Sequence, residues 1–140
     1  MTEVDSVRSL LEAPSPAVLT TYRKDGNALV SPVRFRWSEG AFEVVIAKGD
    51  LKLRHAPGAR PAVRSRGVRG VRPFLGVEVR GEAELVEGDV TGIRADIAGR
   101  YLGRDDGARF AAERRSKPGV VLRLAGDTPR VWDLSGILPA

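Results

Sequence analysis

The sequence predicts a mostly β fold, an antiparallel β-barrel with flanking helices. Several short strand patterns in the first half are joined by hairpin turns, two helical patterns follow, and two more strand patterns return near the C-terminus. Such strands need a second layer to bury their apolar faces, and a closed barrel supplies it. Nothing in the sequence marks a domain boundary, so we expect residues 1–140 to form a single domain.

The first half of the chain alternates apolar runs with turn residues. Asp25 and Gly26 form a hairpin signal between the first two strands. Pro32 cannot donate a hydrogen bond to a neighbouring strand, which predicts an edge strand or a bulge. The predicted elements are a helix over 3–13 and strands over 17–22, 28–37 and 41–47.

The second half contains the helices and the returning strands. Alternation in the longest predicted strand is imperfect around Gly81. Asp89 or Thr91 begins a helix, and Asp105 and Asp106 are expected to cap the next one. The predicted elements are a short helix over 50–56, strands over 60–66 and 74–86, a loop over 67–72, helices over 89–101 and 105–115, and strands over 120–124 and 130–134.

The composition excludes several kinds of chemistry. With no cysteine and one histidine, His55, the chain has no disulfide, no thiolate catalysis and no Cys-ligated metal, and a His-rich metal site is excluded. No Walker loop, G-x-S-x-G or strand-linked G-x-G-x-x-G occurs. The protein is therefore either a binder or lets a cofactor carry out the chemistry. No apolar run approaches about 18 residues and no signal peptide is recognisable, so we expect a cytoplasmic protein without a membrane.

Positive charge is concentrated in one stretch. Between Asp50 and Glu78 the chain carries seven Lys or Arg residues and no acid, although its formal net charge is only +5. Such a local excess indicates a place for an anion. Lys48, Gly49 and Lys52 lie where a strand turns into the predicted helix, a common arrangement for binding phosphate. From spacing alone, an exposed helix with ordinary surface lysines remains the alternative.

Three other features have less specific interpretations. Arginines recur at every third position from 66 to 72, as in some nucleic-acid-binding segments, but no aromatic residue on which a base could stack occurs before Phe74. A charged hairpin loop is the better interpretation. His55 has no identifiable carboxylate partner and is expected to be structural. Trp132 is expected in the core, with stacking at a ligand or subunit boundary as the alternative.

Three ordered segments together resemble one family. Residues 17–26 and 31–35 resemble the opening hairpin of the pyridoxamine 5′-phosphate oxidase-like split-barrel flavoproteins. Residues 42–55 resemble their third strand and phosphate-binding turn, and VEVRGEAEL at 77–85 resembles a later strand with the pattern V-x-V-x-G-x-A-x-L. The likeness spans roughly residues 6–134.

The resemblance implies a six-stranded antiparallel split barrel, similar to FMN-binding proteins, that forms a homodimer with its cofactor in a cleft at the subunit interface. Members use FMN or the deazaflavin coenzyme F420. No catalytic side chain and no metal are implied. The implied cofactor-binding residues are Ser31, Pro32 and Val33 along the ring, Ile46, Ala47 and Lys48 beside them, Lys52 at the phosphate with support from Arg54, and Gly49, Leu51 and His55 in the same turn.

Departures from the family pattern influence the choice of cofactor. Ala47 stands where many members have Ser or Thr, His55 replaces a frequent Asn, and Arg34 replaces a frequent aromatic residue. The extra positive charge favours coenzyme F420, whose phosphodiester and oligoglutamate tail are anionic and which the arginines of 60–72 could follow. We therefore expect an oxidoreductase that transfers a hydride from this coenzyme to a small conjugated or quinone-like substrate. The alternatives are an FMN-dependent oxidoreductase and a non-catalytic binder of flavin, deazaflavin or haem; nucleic acid is not an expected partner.

Overall fold

The computed structural model describes residues 8–12, 14, 17–50, 62–66, 75–125 and 129–133. They form a mostly β structure with a few helices, as the sequence predicts. The helices are α1 (Arg8–Glu12), α2 (Thr91–Leu102) and α3 (Arg104–Glu113). The strands are β1 (Ala17–Tyr22), β2 (Ala28–Val33), β3 (Arg36–Ser38), β4 (Ala41–Ala47), β5 (Ala62–Arg66), β6 (Leu75–Arg80), β7 (Glu84–Glu87), β8 (Gly119–Leu124) and β9 (Arg130–Asp133).

The described strands form two antiparallel sheets. One has five strands in the order β2-β1-β5-β6-β9, and the other has four in the order β3-β4-β8-β7. The implied count of six strands is not confirmed, because two of the predicted strands are each divided between the sheets. β2 lies at the edge of its sheet, as Pro32 predicts, because a residue without an N–H costs least where no neighbouring strand needs one.

The first of these divided strands was predicted over 28–37. It breaks at 34–35, where β2 leaves the five-stranded sheet and β3 enters the four-stranded sheet. Phe35 is fully buried at the break. Its N–H donates to the Tyr101 hydroxyl at 3.3 Å and its carbonyl accepts from Arg100. Helix α2 thus supplies the hydrogen bonds that a neighbouring strand would otherwise supply.

The strand predicted over 74–86 breaks in the same way at 81–83. Its first part, β6, belongs to the five-stranded sheet, and its second part, β7, pairs with β8 in the other sheet. Gly81 lies in the break. At each of these two breaks the chain passes from one sheet to the other and joins the sheets at a corner. Joined in this way, the two sheets enclose one core.

Buried apolar side chains from both sheets form that core. Phe42 lies at its centre, with its ring 5.1 Å from the ring of Phe35 and 5.0 Å from the ring of Trp37. Burial alternates along β1, and alternate residues of β4 and β6 belong to the core, although neighbouring residues of these two strands are also buried. The inward-facing residues include Leu19, Val44, Ile46, Val77, Val79 and Leu122. Trp132 is half-buried, and its ring lies over Gly76 of the neighbouring strand.

The two long helices form a hairpin. The N–H of Thr91 donates to the carboxylate of Asp89 at 3.0 Å, which supports the predicted helix start. The predicted cap at Asp105 and Asp106 is wrong: both carboxylates lie in the first turn of α3, and Gly103, with φ of 92°, occupies the position before the helix. A positive φ favours glycine there, and acids in the first turn interact favourably with the helix dipole.

Gly107 lets α2 and α3 approach each other, and Gly107→Ala is expected to destabilise the protein by about 1–3 kcal/mol. An added Cβ would lie 2.4 Å from the backbone nitrogen of Gly99, so the helix backbones would have to separate. Gly99→Ala is the matched control, because its Cβ would meet only the Cα of Arg104 at 3.8 Å, an ordinary contact. Urea unfolding of both variants measures the difference. If both variants have the same free energy of unfolding, the close approach of α2 and α3 at Gly107 does not contribute to stability.

Two predicted elements, the helix over 50–56 and the loop over 67–72, lie wholly or mostly outside the described residues. The strands predicted over 17–22 and 41–47 agree with β1 and β4, and the predicted final strands agree with β8 and β9 within about one residue.

Candidate functional site

A cavity of about 400 Å³ lies between β4 and the hairpin of α2 and α3. Small-molecule sites in proteins commonly enclose about 300–1,000 Å³. Its apolar surface comes from both sides: β2 and β4 contribute Val33 and residues 44–47, and the helices contribute Ile97, Ala98 and Phe110. The wall is therefore suited to a flat, apolar group.

The structure brings three of the predicted site residues to this cavity. Val33, Ile46 and Ala47 line it. Ser31 and Pro32 precede Val33 on the same strand but do not line the cavity, and their contacts with a ring remain predictions.

The predicted turn begins at the end of the cavity. Gly49 has φ of 96°, a conformation that favours glycine, and the N–H of Asp50 donates to the carbonyl of Ala47 at 3.0 Å. The Lys48 ammonium is exposed and lies 4.0 Å from the carboxylate of Glu87, a weak surface pair. The remaining predicted residues, Leu51, Lys52, Arg54 and His55, lie outside the described residues.

Cationic side chains that the sequence analysis did not select also line the cavity. They are Arg94 of α2 and Arg114 and Lys117 of the segment between α3 and β8, and Arg34 joins them from the end of β2. Asp50 is the one carboxylate among the described lining residues. Four cations against one carboxylate leave a formal excess of three positive charges, so the cavity attracts an anion.

A sequence signal for these cations existed but was not specific. Arg114, Arg115 and Lys117 form a basic cluster just before β8. Ala47 pairs with Gly119 across β4 and β8, and the Lys48 N–H donates to the Pro118 carbonyl at 3.2 Å. This register brings the cluster to the turn that follows β4. No local pattern in the sequence predicts which strand β8 joins.

Arg94 holds the segment that carries two of these cations. Its Nη1 donates to the carbonyl of Arg114 at 2.9 Å and to that of Lys117 at 3.2 Å. Arg114 is held in turn by Phe110, since its guanidinium carbon lies 3.6 Å from the centre of the phenyl ring and its Nη1 donates to the Phe110 carbonyl at 3.3 Å. Stacking and hydrogen bonds of this kind restrict the side chain to one orientation.

The charged groups near Phe35 have a structural role. Burial lowers the pKa of Arg100, which donates to the carbonyls of Phe35 and Leu11. Burial also raises the pKa of Tyr101, whose hydroxyl accepts the hydrogen bond from the Phe35 N–H. These groups stabilise the passage between the sheets.

A smaller cavity of about 220 Å³ lies between α1, β3 and α2. Arg36 in its wall donates to Glu43 at 2.8 Å and to Asp96 at 2.7 Å. Burial acts to lower the pKa of Arg36, but these hydrogen bonds outweigh it and the pKa is raised. Arg100, the other cation there, already binds two carbonyls. Because its cations are already paired with protein groups, this cavity is a weaker candidate.

The described residues include neither a metal-binding cluster nor a membrane-spanning helix. In the part of the chain that the structure describes, no group of three or more His, Cys, Asp or Glu residues is placed to hold a metal ion. No helix among the described residues is long and apolar enough to cross a bilayer.

Known structures share the fold. No protein-family model matches the sequence, and no curated protein matches it. An F420 reductase is 22% identical, with 88% of this chain and 94% of that chain covered and a TM-score of 0.69. A conserved hypothetical protein from Mycobacterium tuberculosis is 19% identical over 100% and 90%, with a TM-score of 0.82. An FAD and heme binding protein from Mycobacterium smegmatis is 21% identical over 95% and 72%, with a TM-score of 0.71. The chain therefore has the fold that these three structures share.

Proposed function

We propose that the protein is an oxidoreductase that binds coenzyme F420 in the cavity beside β4 and reduces a small conjugated or quinone-like molecule. The observation that carries this proposal is the combination of an apolar wall and an excess of cations in one cavity of about 400 Å³. A flavin-type cofactor has the same combination, an aromatic ring with an anionic side chain. An uncharged ligand would leave the cations without a role, and a simple inorganic anion would leave the apolar wall without one.

The residues present fit such a group. Val33, Val45 and Ile97 offer apolar surface to a ring, and Phe110 adds an aromatic one. Arg114 and Lys117 offer donors to a phosphate. When bound and reduced, the cofactor would supply a hydride to an electron-poor carbon of the acceptor, and the product would take its proton from solvent after the hydride step. The protein's part is to bind, orient the reactants and exclude water, a role that needs no catalytic side chain.

Coenzyme F420 is preferred to FMN on charge. It carries a phosphodiester and several carboxylates, and the cavity has three more cations than carboxylates among its described lining residues. An F420 reductase and an FAD and heme binding protein both have this fold. The alternatives are an FMN-dependent oxidoreductase and a non-catalytic protein that binds flavin, deazaflavin or haem. Haem usually needs an axial side-chain ligand, and the single histidine, His55, is the natural candidate.

The proposal includes a homodimer with the cofactor at the subunit interface. Val30 on the edge strand β2 is 59% exposed, and it lies on the same strand as Ser31 and Pro32. An exposed apolar residue on an edge strand is a typical place for a partner to pack. Burial against a second copy would also complete the wall beside these two residues. A cytoplasmic location remains a prediction from the sequence.

Equilibrium binding of coenzyme F420, FMN and haem to the purified protein tests the proposal. We expect coenzyme F420 to bind more tightly than FMN, because it offers more negative charge to the same cations. Reduction of a panel of enones and quinones with the reduced coenzyme then tests the activity. Tight binding without turnover of any substrate would favour the non-catalytic alternative. Failure of both coenzyme F420 and FMN to bind would contradict the proposed function.

A further inference from the structure

We propose that Arg114 and Lys117, in the segment between α3 and β8, bind the phosphate of the ligand in the cavity beside β4, and that Arg94 positions them. The inference rests on the proposed function but extends the phosphate site beyond the residues that the sequence indicates. It applies equally to the phosphomonoester of FMN and to the phosphodiester of coenzyme F420, since both present phosphate oxygens to the same donors.

Arg114 is oriented for this role before any ligand binds. Its guanidinium stacks on Phe110 at 3.6 Å, and both side chains line the cavity. Only Nη1 has partners among the described residues, the Phe110 carbonyl at 3.3 Å and the Glu113 carboxylate at 3.8 Å. A guanidinium has five N–H donors, so the Nε and Nη2 edge is left for an anion. The Glu113 carboxylate is 66% exposed, so solvent screens its attraction for Arg114 and it competes only weakly with a bound anion.

Arg94 fixes the backbone on which the two cations are carried. It donates to the carbonyls of both Arg114 and Lys117 and so holds the two ends of segment 114–117 together. Carbonyls at the end of a helix lack partners within the helix, and Arg94 supplies N–H donors to these two. Its own Nη1 is used in this way, so Arg94 acts on a ligand mainly through the position of the other two residues.

Segment 114–117 lies beside the turn that follows β4. The Lys48 N–H donates at 3.2 Å to the carbonyl of Pro118, the residue that follows this segment, so the turn and the end of the segment are in backbone contact. An anion at this end of the cavity is therefore approached by cations from two separate parts of the chain. Asp50 lies on the same cavity wall and reduces the positive potential without reversing it.

The test compares ligands that differ in charge but share a ring. FMN is paired with riboflavin, and coenzyme F420 with its deazaflavin riboside core, which lacks the phosphodiester and the glutamates. For Arg114→Gln and Lys117→Gln, we expect about 10-fold weaker binding of whichever phosphate-bearing ligand the wild-type protein binds, the scale of one charged hydrogen bond. Binding of the uncharged partner is expected to change less than about 2-fold. Arg115→Gln is the matched control, because Arg115 is an exposed neighbour that does not line the cavity, and it should leave both affinities unchanged.

The outcomes distinguish a failure of the inference from a failure of the proposed function. Unchanged affinity for the phosphate-bearing ligand in both variants would overturn the inference and leave the proposed function standing. An equal loss for charged and uncharged ligands would also overturn it, since that pattern indicates a general change of the cavity. If the wild-type protein binds no flavin or deazaflavin, both claims fail together. Lys117 is exposed, so Lys117→Gln keeps the test valid even if Arg114→Gln fails to fold.

Discussion

Replacing Ala47 with tryptophan is expected to weaken binding of coenzyme F420 or FMN by at least about 100-fold, equivalent to ~2.8 kcal/mol. Ala47 ends β4, lines the cavity and is exposed, so a larger side chain can project without disturbing the barrel core. An indole there would occupy space that the proposed ring needs. Isothermal titration calorimetry or quenching of cofactor fluorescence measures the loss.

The matched control for this substitution is Ala125→Trp. Ala125 is also an exposed alanine at a strand end, but it follows β8 at the end where Leu124 pairs with Phe42, and it does not line the cavity. It should bind the cofactor as the wild-type protein does. Thermal unfolding of both variants checks that each is folded. If Ala47→Trp stays folded and retains full affinity, the cavity beside β4 is not the cofactor site.

Phe42→Ala is expected to destabilise the protein by about 3–5 kcal/mol, a large part of the stability of an ordinary domain. Phe42 is 0% exposed and contacts the rings of Phe35 and Trp37, with the Trp37 ring edge-on. Alanine would leave a cavity between the two sheets and remove both aromatic contacts. We expect the melting temperature to fall by roughly 10 °C or more.

Val86→Ala provides the comparison for Phe42→Ala. Val86 is 42% exposed on the edge strand β7, so its truncation should change the melting temperature little. Circular dichroism and urea unfolding measure both variants at a protein concentration at which the oligomeric state is known. If Phe42→Ala unfolds no more easily than Val86→Ala, the two sheets do not share the core described above.

The short-range features of the fold were predictable from the sequence. Alternation of apolar residues and the Asp25–Gly26 signal predict β1, the first hairpin and β4, because period and turn chemistry act within a few residues. The missing N–H of Pro32 predicts an edge strand, a bulge or a place where something other than a strand lies alongside, and β2 lies at an edge. For the candidate site, the family resemblance indicated Val33, Ile46 and Ala47 among others, and these three line one cavity.

The places where the predictions failed depend on long-range contacts. The strand predicted over 28–37 divides because Phe35 enters the core and its backbone bonds to Tyr101 and Arg100, more than sixty residues away in the chain. The strand predicted over 74–86 divides because its halves pair with different sheets. Alternation continues through the first corner at Val33, Phe35 and Trp37 and is only imperfect around Gly81 at the second, so the period of the sequence does not reveal which sheet each part joins.

The sequence by itself determined the mostly β fold class, the first hairpin and the absence of cysteine chemistry. Each of these follows from residue identity or from spacing over a few residues. Only the tertiary structure decided that Arg94, Arg114 and Lys117 join the same cavity as β4. Their position follows from the pairing of Ala47 with Gly119, and the free energy of that pairing comes from burying the core between two sheets, which no local segment contains.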